Sequence, residues 1–465
     1  MLSRMMQLPR GMRIPGGRSL AGYSVPLSSI FPLSISSSGR YLQTVNATPF
    51  LVVGDSPWSL PVNCTDTQID TYINDRSGKG LTAIMVEAVE RAYSSQTPIY
   101  RNASGNDPFT VMSPVNWVIS GAYWARVDYI VNKCRDLGIA VFIAPAYTGY
   151  GPGVDGWAAD YGSASDATMQ AYGAALATRY TQGNVVWVMG GDSAGDTNEP
   201  ANVAYNTATV PSRTKQWQIV LGIRSVRTTD IITGHTARNG APGGANGESY
   251  LGWGGGTWTG WNLNNVYGHD NNDDAPALAA TAYARAGPLP FFLIEAGYQD
   301  TNLTDLSMVH PAIQTVLGGG LGGFFGGHDA LWHMGSVAPD NTGAAAVLST
   351  YLAGSWTGSS NLGNLLRSYA WHLLQPKTDA SLVTTALGTG AATVCPARAS
   401  DGTFALIWTP TVNLTVNMTA FTISSVRCRW WDYSNNSFAA IGTFANTGTQ
   451  SFTPPGARLL VMDAP

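Results

Sequence analysis

The sequence predicts a (β/α)₈ barrel followed by a small antiparallel β-sandwich. Three observations predict it. Eight short apolar runs recur between about residue 45 and residue 335. Most of the segments between them carry helical periodicity. Past about residue 375 that rhythm stops, and short alternating stretches between turn signals take over. At 465 residues and 44% hydrophobic, the chain is long enough for one large barrel and a smaller module.

The runs, in order, are "PFLVVGDSPW", "LTAIMVEAVE", "IAVFIAPAY", "NVVWVMGGD", "DIITGHTA", "LNNVYGHD", "PFFLIEAGY" and "GGFFGGHD". The strongest are near-continuous in Val, Ile, Leu and Phe. Parallel strands buried on both faces have that composition. Between them, "TDTQIDTYINDRSGKG" begins on a Thr or Asp cap and ends at a glycine. "WARVDYIVNKCRDLG" puts Val127, Ile130, Val131 and Cys134 on one helical face and stops at Gly138. "SDATMQAYGAALATRY" and "SRTKQWQIVLGIRSVR" behave similarly. Eight strand–helix units over residues 41–374 fit a (β/α)₈ catalytic barrel. A doubly wound sheet is the alternative, but no GxGxxG or Walker-type loop follows the first strand. Residues 375–465 show alternation in "TFALIW" and "LTVNMT", with turns at "SDG", "SNNS" and "PPG", and read as a β-sandwich. Such a sandwich braces the barrel or binds carbohydrate, and the rings of "RWWDY" read as exposed.

Residues 1–40 hold five Arg and no acid, without a continuous apolar core of signal length. They read as an irregular extension. Read instead as an atypical export segment, they would place the protein outside the cell or in the periplasm rather than in the cytoplasm. The four cysteines form no CxxC pair; Cys395 and Cys428 either bridge in an exported protein or stay as free thiols. No apolar run approaches 18 residues, so no membrane span is expected. A net charge of −4 without a basic stripe argues against nucleic acid. Charged residues are 12%, about half the usual share, among 15 Trp and 20 Tyr. That surface suits stacking on neutral ligands. Oligomeric state is left open.

In such a barrel the active site lies at the C-terminal ends of the strands. Those ends carry Asp55 and Trp58, Glu87, Tyr147, Asp192, His235, His269, Glu295 with Tyr298, and His328 with Trp332. Two carboxylates facing one cleft suit glycoside hydrolysis: one protonates the leaving oxygen, the other acts as nucleophile or base. Glu295 closes a strongly apolar strand, where an unpaired acid is costly. Asp192 after Gly-Gly also fits a plain helix cap. The histidines show no HxH or HExxH spacing, so neither a metal nor another cofactor is expected. Trp253, Trp258 and Trp261 lie in a Gly-rich stretch that serves as a sugar-stacking lid or a packing plug.

The blocks "PFLVVGDSPWSL", "YWARVDYIVNKCRDLGIAVFIAP", "VVWVMGGD" and "FFLIEAGYQ", in that order, resemble the apiosidase-like glycoside hydrolases (glycoside hydrolase family 140). The resemblance spans roughly residues 40–465. It implies a (β/α)₈ enzyme followed by a collagen-binding-like β-sandwich, and removal of apiose from a branched pectin side chain. It also implies Asp192 as general acid/base and Glu295 as nucleophile. Asp55, Trp58, Glu87, Tyr147, His235, His269, Tyr298, His328 and Trp332 then form the substrate-binding shell, with Tyr298 placed to hydrogen-bond Glu295. The large related clan of retaining enzymes usually carries Asn-Glu where this chain has Gly191-Asp192. An aspartate is one methylene shorter, so the carboxyl separation decides the outcome: about 5–5.5 Å for retention, about 6.5–9.5 Å for inversion. Two other classes compete. One is a glycan-binding or surface protein that kept the barrel and lost catalysis. The other is a metal-dependent hydrolase using the strand-end histidines.

Overall fold

The computed structural model describes residues 30–149, 156–161, 163–191, 212–235, 260–268, 275–285, 287–300 and 306–465. Eight parallel strands form one sheet: β1 (Val52–Asp55), β2 (Ala83–Glu87), β3 (Ala140–Ala144), β4 (Val185–Gly190), β5 (Ile231–His235), β6 (Asn264–Gly268), β7 (Phe291–Ala296) and β8 (Gly323–Gly326). Every predicted run is a strand. Their order is β5-β4-β3-β2-β1-β8-β7-β6, each beside its neighbour in sequence, which rolls the sheet into a barrel. The β5–β6 seam is drawn together by individual bonds. Asn262 and Leu263 donate backbone N–H groups to the Ile232 carbonyl at 3.2 and 3.3 Å. The Asn265 amide donates to Thr233 Oγ1 at 2.8 Å.

All eight strands are buried along their whole length, which accounts for their unbroken apolar runs. Inward-facing side chains fill the barrel: the Phe142 ring lies 4.8 Å from Phe325 and 5.5 Å from Phe292. Outward-facing Ile84, Val86, Val141, Ile143 and Trp187 pack under the helices. The barrel's N-terminal mouth is plugged by a three-stranded antiparallel sheet of Ser34–Ile35, Leu42–Gln43 and Pro49–Phe50. Phe31, Leu33, Leu42 and Phe50 join the inner core there. Residues 30–40, expected to be irregular, thus take part in this plug, because Phe31 and Leu33 have an open barrel end to cover.

Helices α1 (Asp66–Gly78), α2 (Gly121–Asp136), α3 (Asp166–Arg179), α4 (Ser212–Val226), α5 (Ala275–Ala284) and α6 (Leu306–Leu317) coat the barrel. A capping box of Thr65 and Gln68 starts α1. Val127, Ile130, Val131 and Cys134 of α2 are fully buried. After β8 follow α7 (Ala344–Tyr351) and α8 (Thr357–Arg367).

The C-terminal part has a six-stranded antiparallel sheet facing a two-stranded one. Its strands are β9 (Leu374–Pro376), β10 (Cys395–Ala399), β11 (Ala405–Thr409), β12 (Leu414–Asn417), β13 (Ser425–Asp432), β14 (Ser437–Ala445), β15 (Thr449–Phe452) and β16 (Arg458–Asp463). The larger sheet runs β9-β10-β11-β16-β13-β14, and β12 pairs β15. Alternation sorts the side chains of the larger sheet. Ile407, Trp430, Leu460 and Met462 face the smaller sheet. Leu406, Trp408, Trp431 and Val461 pack against Met308, Ile313 and Leu365 of the barrel helices. The "RWWDY" rings are thus buried, not exposed: Trp430 and Trp431 serve opposite faces, and Tyr433 meets His310 at 5.6 Å. The same alternation parts Cys395 from Cys428, on opposite sides of the sheet, and both are buried free thiols. Burial pushes each up to about 12. No described helix is long and apolar enough to cross a membrane.

Candidate active site

At the C-terminal end of β7, Glu295 sits 7% exposed among aromatic rings. A carboxylate there needs a partner. His235, at the end of β5 and 1% exposed, supplies one: its Nε2 lies 2.7 Å from Glu295 Oε2. Three rings hold the imidazole. Trp58 meets it edge-on at 5.3 Å, Tyr267 edge-on at 5.4 Å, and Tyr147 tilted at 6.4 Å. Trp58 in turn packs on Tyr147 at 5.8 Å and donates its indole N–H to the Tyr298 hydroxyl at 2.8 Å. Strand ends β1, β3, β5, β6 and β7 thus place Trp58, Tyr147, His235, Tyr267, Glu295 and Tyr298 in one connected cluster. Tyr298, expected beside Glu295, accepts the Trp58 indole N–H, and His235 contacts the carboxylate.

Beneath Tyr147 the chain needs a glycine. Gly191 has φ +121°, and a Cβ built on it would overlap the Tyr147 ring. Gly191 therefore lets an aromatic ring pack closely against backbone, one residue before Asp192. Asp192 and His269 themselves lie outside the described residues, as do Trp253 and Trp258. Trp261 is half-buried against the large core under the helices, in the manner of a packing plug.

Other predicted residues are placed elsewhere. Asp55 is 1% exposed and turned into the wall rather than the cleft. Its oxygens accept from the Ser56 N–H at 2.8 Å, from Arg76 Nε at 2.6 Å and from the Tyr72 hydroxyl. A buried carboxylate so occupied ties β1 to α1 and has no face toward a ligand. His328 is fully buried. Its Nδ1 accepts from the Ala330 N–H at 3.1 Å, and its ring lies 4.9 Å from Tyr351. Burial lowers its pKa to about 4, so the ring is neutral. Glu87 is 4% exposed at the end of β2, where its backbone N–H donates to the Trp58 carbonyl at 2.9 Å. Burial first, and the Glu87 charge among lesser causes, holds the Tyr161 and Tyr172 phenols well above their ordinary value. Trp332 stands half-buried on the rim, against Tyr93 at 4.9 Å and His333 at 4.8 Å. Among the described residues no three His, Cys, Asp or Glu side chains converge as metal ligands. The Tyr72–Arg76 clasp on Asp55 carried no sequence signal, because a charged residue on a helix reads as solvent-facing by default.

The family model described as "Apiosidase-like, catalytic domain" matches residues 36–363. The chain belongs to the apiosidase-like family. It is a glycosidase by that membership. A second model, "Putative collagen-binding domain of a collagenase", matches residues 378–463 of this apiosidase-like chain. No curated protein matches the chain. Among solved structures it is similar to a glycoside hydrolase family 5 protein from Bacteroides vulgatus, at 17% identity and TM-score 0.74. That match covers 94% of this chain and 95% of the other. A structure titled "Glycoside hydrolase" is similar at 18% identity and TM-score 0.73, covering 94% and 98%. At such identities these neighbours support the barrel-plus-sandwich fold, while the family match carries the activity class.

Proposed function

We propose that this apiosidase-like protein hydrolyses a glycosidic bond in a plant or microbial glycan by a retaining, two-carboxylate mechanism. Glu295 attacks the anomeric carbon, forming a glycosyl ester as the bond to the leaving oxygen breaks. Asp192 gives that oxygen its proton. Water, deprotonated by Asp192, then attacks the anomeric carbon and releases Glu295 as carboxylate. The observation that carries the reading is the 2.7 Å contact between His235 Nε2 and Glu295 Oε2, inside a cage of Trp58, Tyr147 and Tyr267. A hydrogen bond to a charged acceptor favours the ionised form and fixes the carboxylate plane for in-line attack. The rings offer apolar faces to a sugar, and apiose on a branched pectin side chain is the first substrate to try.

The test is Glu295→Gln against a panel of aryl glycosides and pectin-derived oligosaccharides. We expect turnover to fall by about a thousandfold or more with the circular dichroism spectrum unchanged. Proton NMR of the first-formed product should show retained anomeric configuration. A Glu295→Gln protein with full activity would sink the assignment, and an inverted product would reassign Glu295 as a base.

A further inference from the structure

Outside the barrel, a groove of about 560 Å³ lies between helices α5 and α6 and the C-terminal sandwich. That volume falls within the range of about 300–1,000 Å³ typical of small-molecule pockets. One wall comes from the two helices. The other comes from the end of β9, the link that follows it and the start of β10. None of these residues belongs to the cluster around Glu295. On α5, Ala277, Ala280 and Ala284 recur at helical spacing and are exposed along the groove. A surface helix ordinarily carries charge on such a stripe. Helix α5 carries none, and no described residue lining the groove is charged. Tyr283 belongs to the same wall, and its ring is held in place. The Arg40 guanidinium lies 4.2 Å over it, Arg40 Nη1 donates to the Tyr283 carbonyl at 3.1 Å, and a Cβ on Gly319 would overlap the ring. Gln314 of α6 is 4% exposed on this wall, and its Oε1 is buried without a hydrogen-bond partner. Leaving a buried amide unmatched is costly, and a ligand group can supply the match. The Thr393 hydroxyl, by contrast, is taken by the Gly390 carbonyl at 2.7 Å.

We propose that this groove is a second ligand site, which takes an uncharged aromatic alcohol between the barrel and the sandwich. Walls without charge give an ionised ligand nothing to offset its lost hydration. The alanine stripe leaves a smooth surface, on which a rigid ring buries apolar area with little loss of freedom. Tyr283 adds an aromatic neighbour for that ring. A hydroxyl both donates and accepts, so it matches the Gln314 amide whichever polar end faces the groove. The amide torsion is broad and two-fold, so either end can turn there. A ligand so placed touches both parts of the chain and ties them together. The site is separate from Glu295, and the proposal does not depend on the glycosidase reading.

Two measurements on the full chain test it. The first is calorimetric titration with 2-naphthol, which carries a hydroxyl, and with 2-methoxynaphthalene, which can only accept. The alcohol should saturate a single site and bind about fivefold more tightly than the ether, the worth of one net hydrogen bond. Gln314→Leu keeps the shape of the wall and should shrink that preference to within about twofold. Ala280 is exposed, so Ala280→Phe fills the groove without disturbing a core, and it should weaken both probes by about tenfold or more. Absence of saturable binding, an undiminished preference in Gln314→Leu, or wild-type affinity in Ala280→Phe would each overturn the proposal. The second measurement needs no variant. Crystals soaked with 6-bromo-2-naphthol should show the anomalous signal of bromine between α5 and β10, within reach of Gln314. A bromine found only among Trp58, Tyr147 and Tyr267, or nowhere, would overturn it equally.

Discussion

Replacing Arg76 by Ala should unfold this protein far more readily than any surface change, while leaving substrate affinity alone. The guanidinium is fully buried and makes five contacts of different kinds. Its Nε bonds Asp55 at 2.6 Å, Nη1 bonds Asp75 at 2.8 Å and the Leu352 carbonyl at 3.3 Å, and Nη2 bonds Ser355 Oγ at 3.1 Å. The plane also lies 4.8 Å over the Tyr72 ring. Removing it leaves the Asp55 carboxylate in the wall, 1% exposed, with only the Ser56 N–H and the Tyr72 hydroxyl. Breaking a buried pair from one side costs about 3–5 kcal/mol, because the surviving charge keeps its desolvation penalty without its partner. The loss should appear as an earlier urea midpoint, followed by tryptophan fluorescence at fixed pH. Asp55→Asn should cost a comparable amount, since it leaves Arg76 buried beside Asp75 alone. The paired change Asp55→Leu with Arg76→Met should recover much of it, because two apolar side chains carry no desolvation debt. KM on any accepted glycoside should stay within about twofold for every variant that folds. A loss under about 1 kcal/mol for Arg76→Ala, or a selective rise in KM for Asp55→Asn, would refute the argument and return Asp55 to the substrate site.

Gly191→Ala should lower kcat at least tenfold with the fold retained, because the added methyl collides with Tyr147 and the residue holds φ +121°; unchanged steady-state kinetics would remove Tyr147 from the site. Deleting residues 375–465 should give an insoluble or much less stable barrel, since Met308, Ile313 and Leu365 lose the cover of Leu406, Trp408 and Trp431; a soluble truncation with an unchanged melting temperature would end the bracing role. Acid should destabilise the protein through two histidines. Burial depresses His310 and His328 from 6.5 to about 4, so their contribution is complete above about pH 6.5 and is lost as pH falls toward about 4. His310→Phe, which keeps the packing against Trp408 and Tyr433, should flatten that slope in urea titrations at stepped pH.

Much of the fold was legible along the chain. Eight apolar runs became eight strands, and the helix face of Val127, Ile130, Val131 and Cys134 is buried as its spacing predicts. Backbone hydrogen bonding and side-chain periodicity are local, so a one-dimensional pattern records them. The end of each strand was legible for the same reason, and with it Glu295, Trp58, Tyr147 and His235 as members of one rim. What the pattern does not record is where a side chain points once its strand has ended. Asp55 and Glu295 look alike in sequence, each an acid closing an apolar run. One turns outward to Arg76 on the neighbouring helix, and the other meets an imidazole from a strand 60 residues earlier. His235 and His328 differ in the same way. The rings of "RWWDY" looked exposed because a strand's alternation predicts one wet face. The barrel's own helices cover that face, and only docking of two separately formed apolar surfaces decides it. Local chemistry chose the elements and their residues. Pairings across the chain depend on long-range packing, in which the loss of chain entropy is offset by contacts no short window contains.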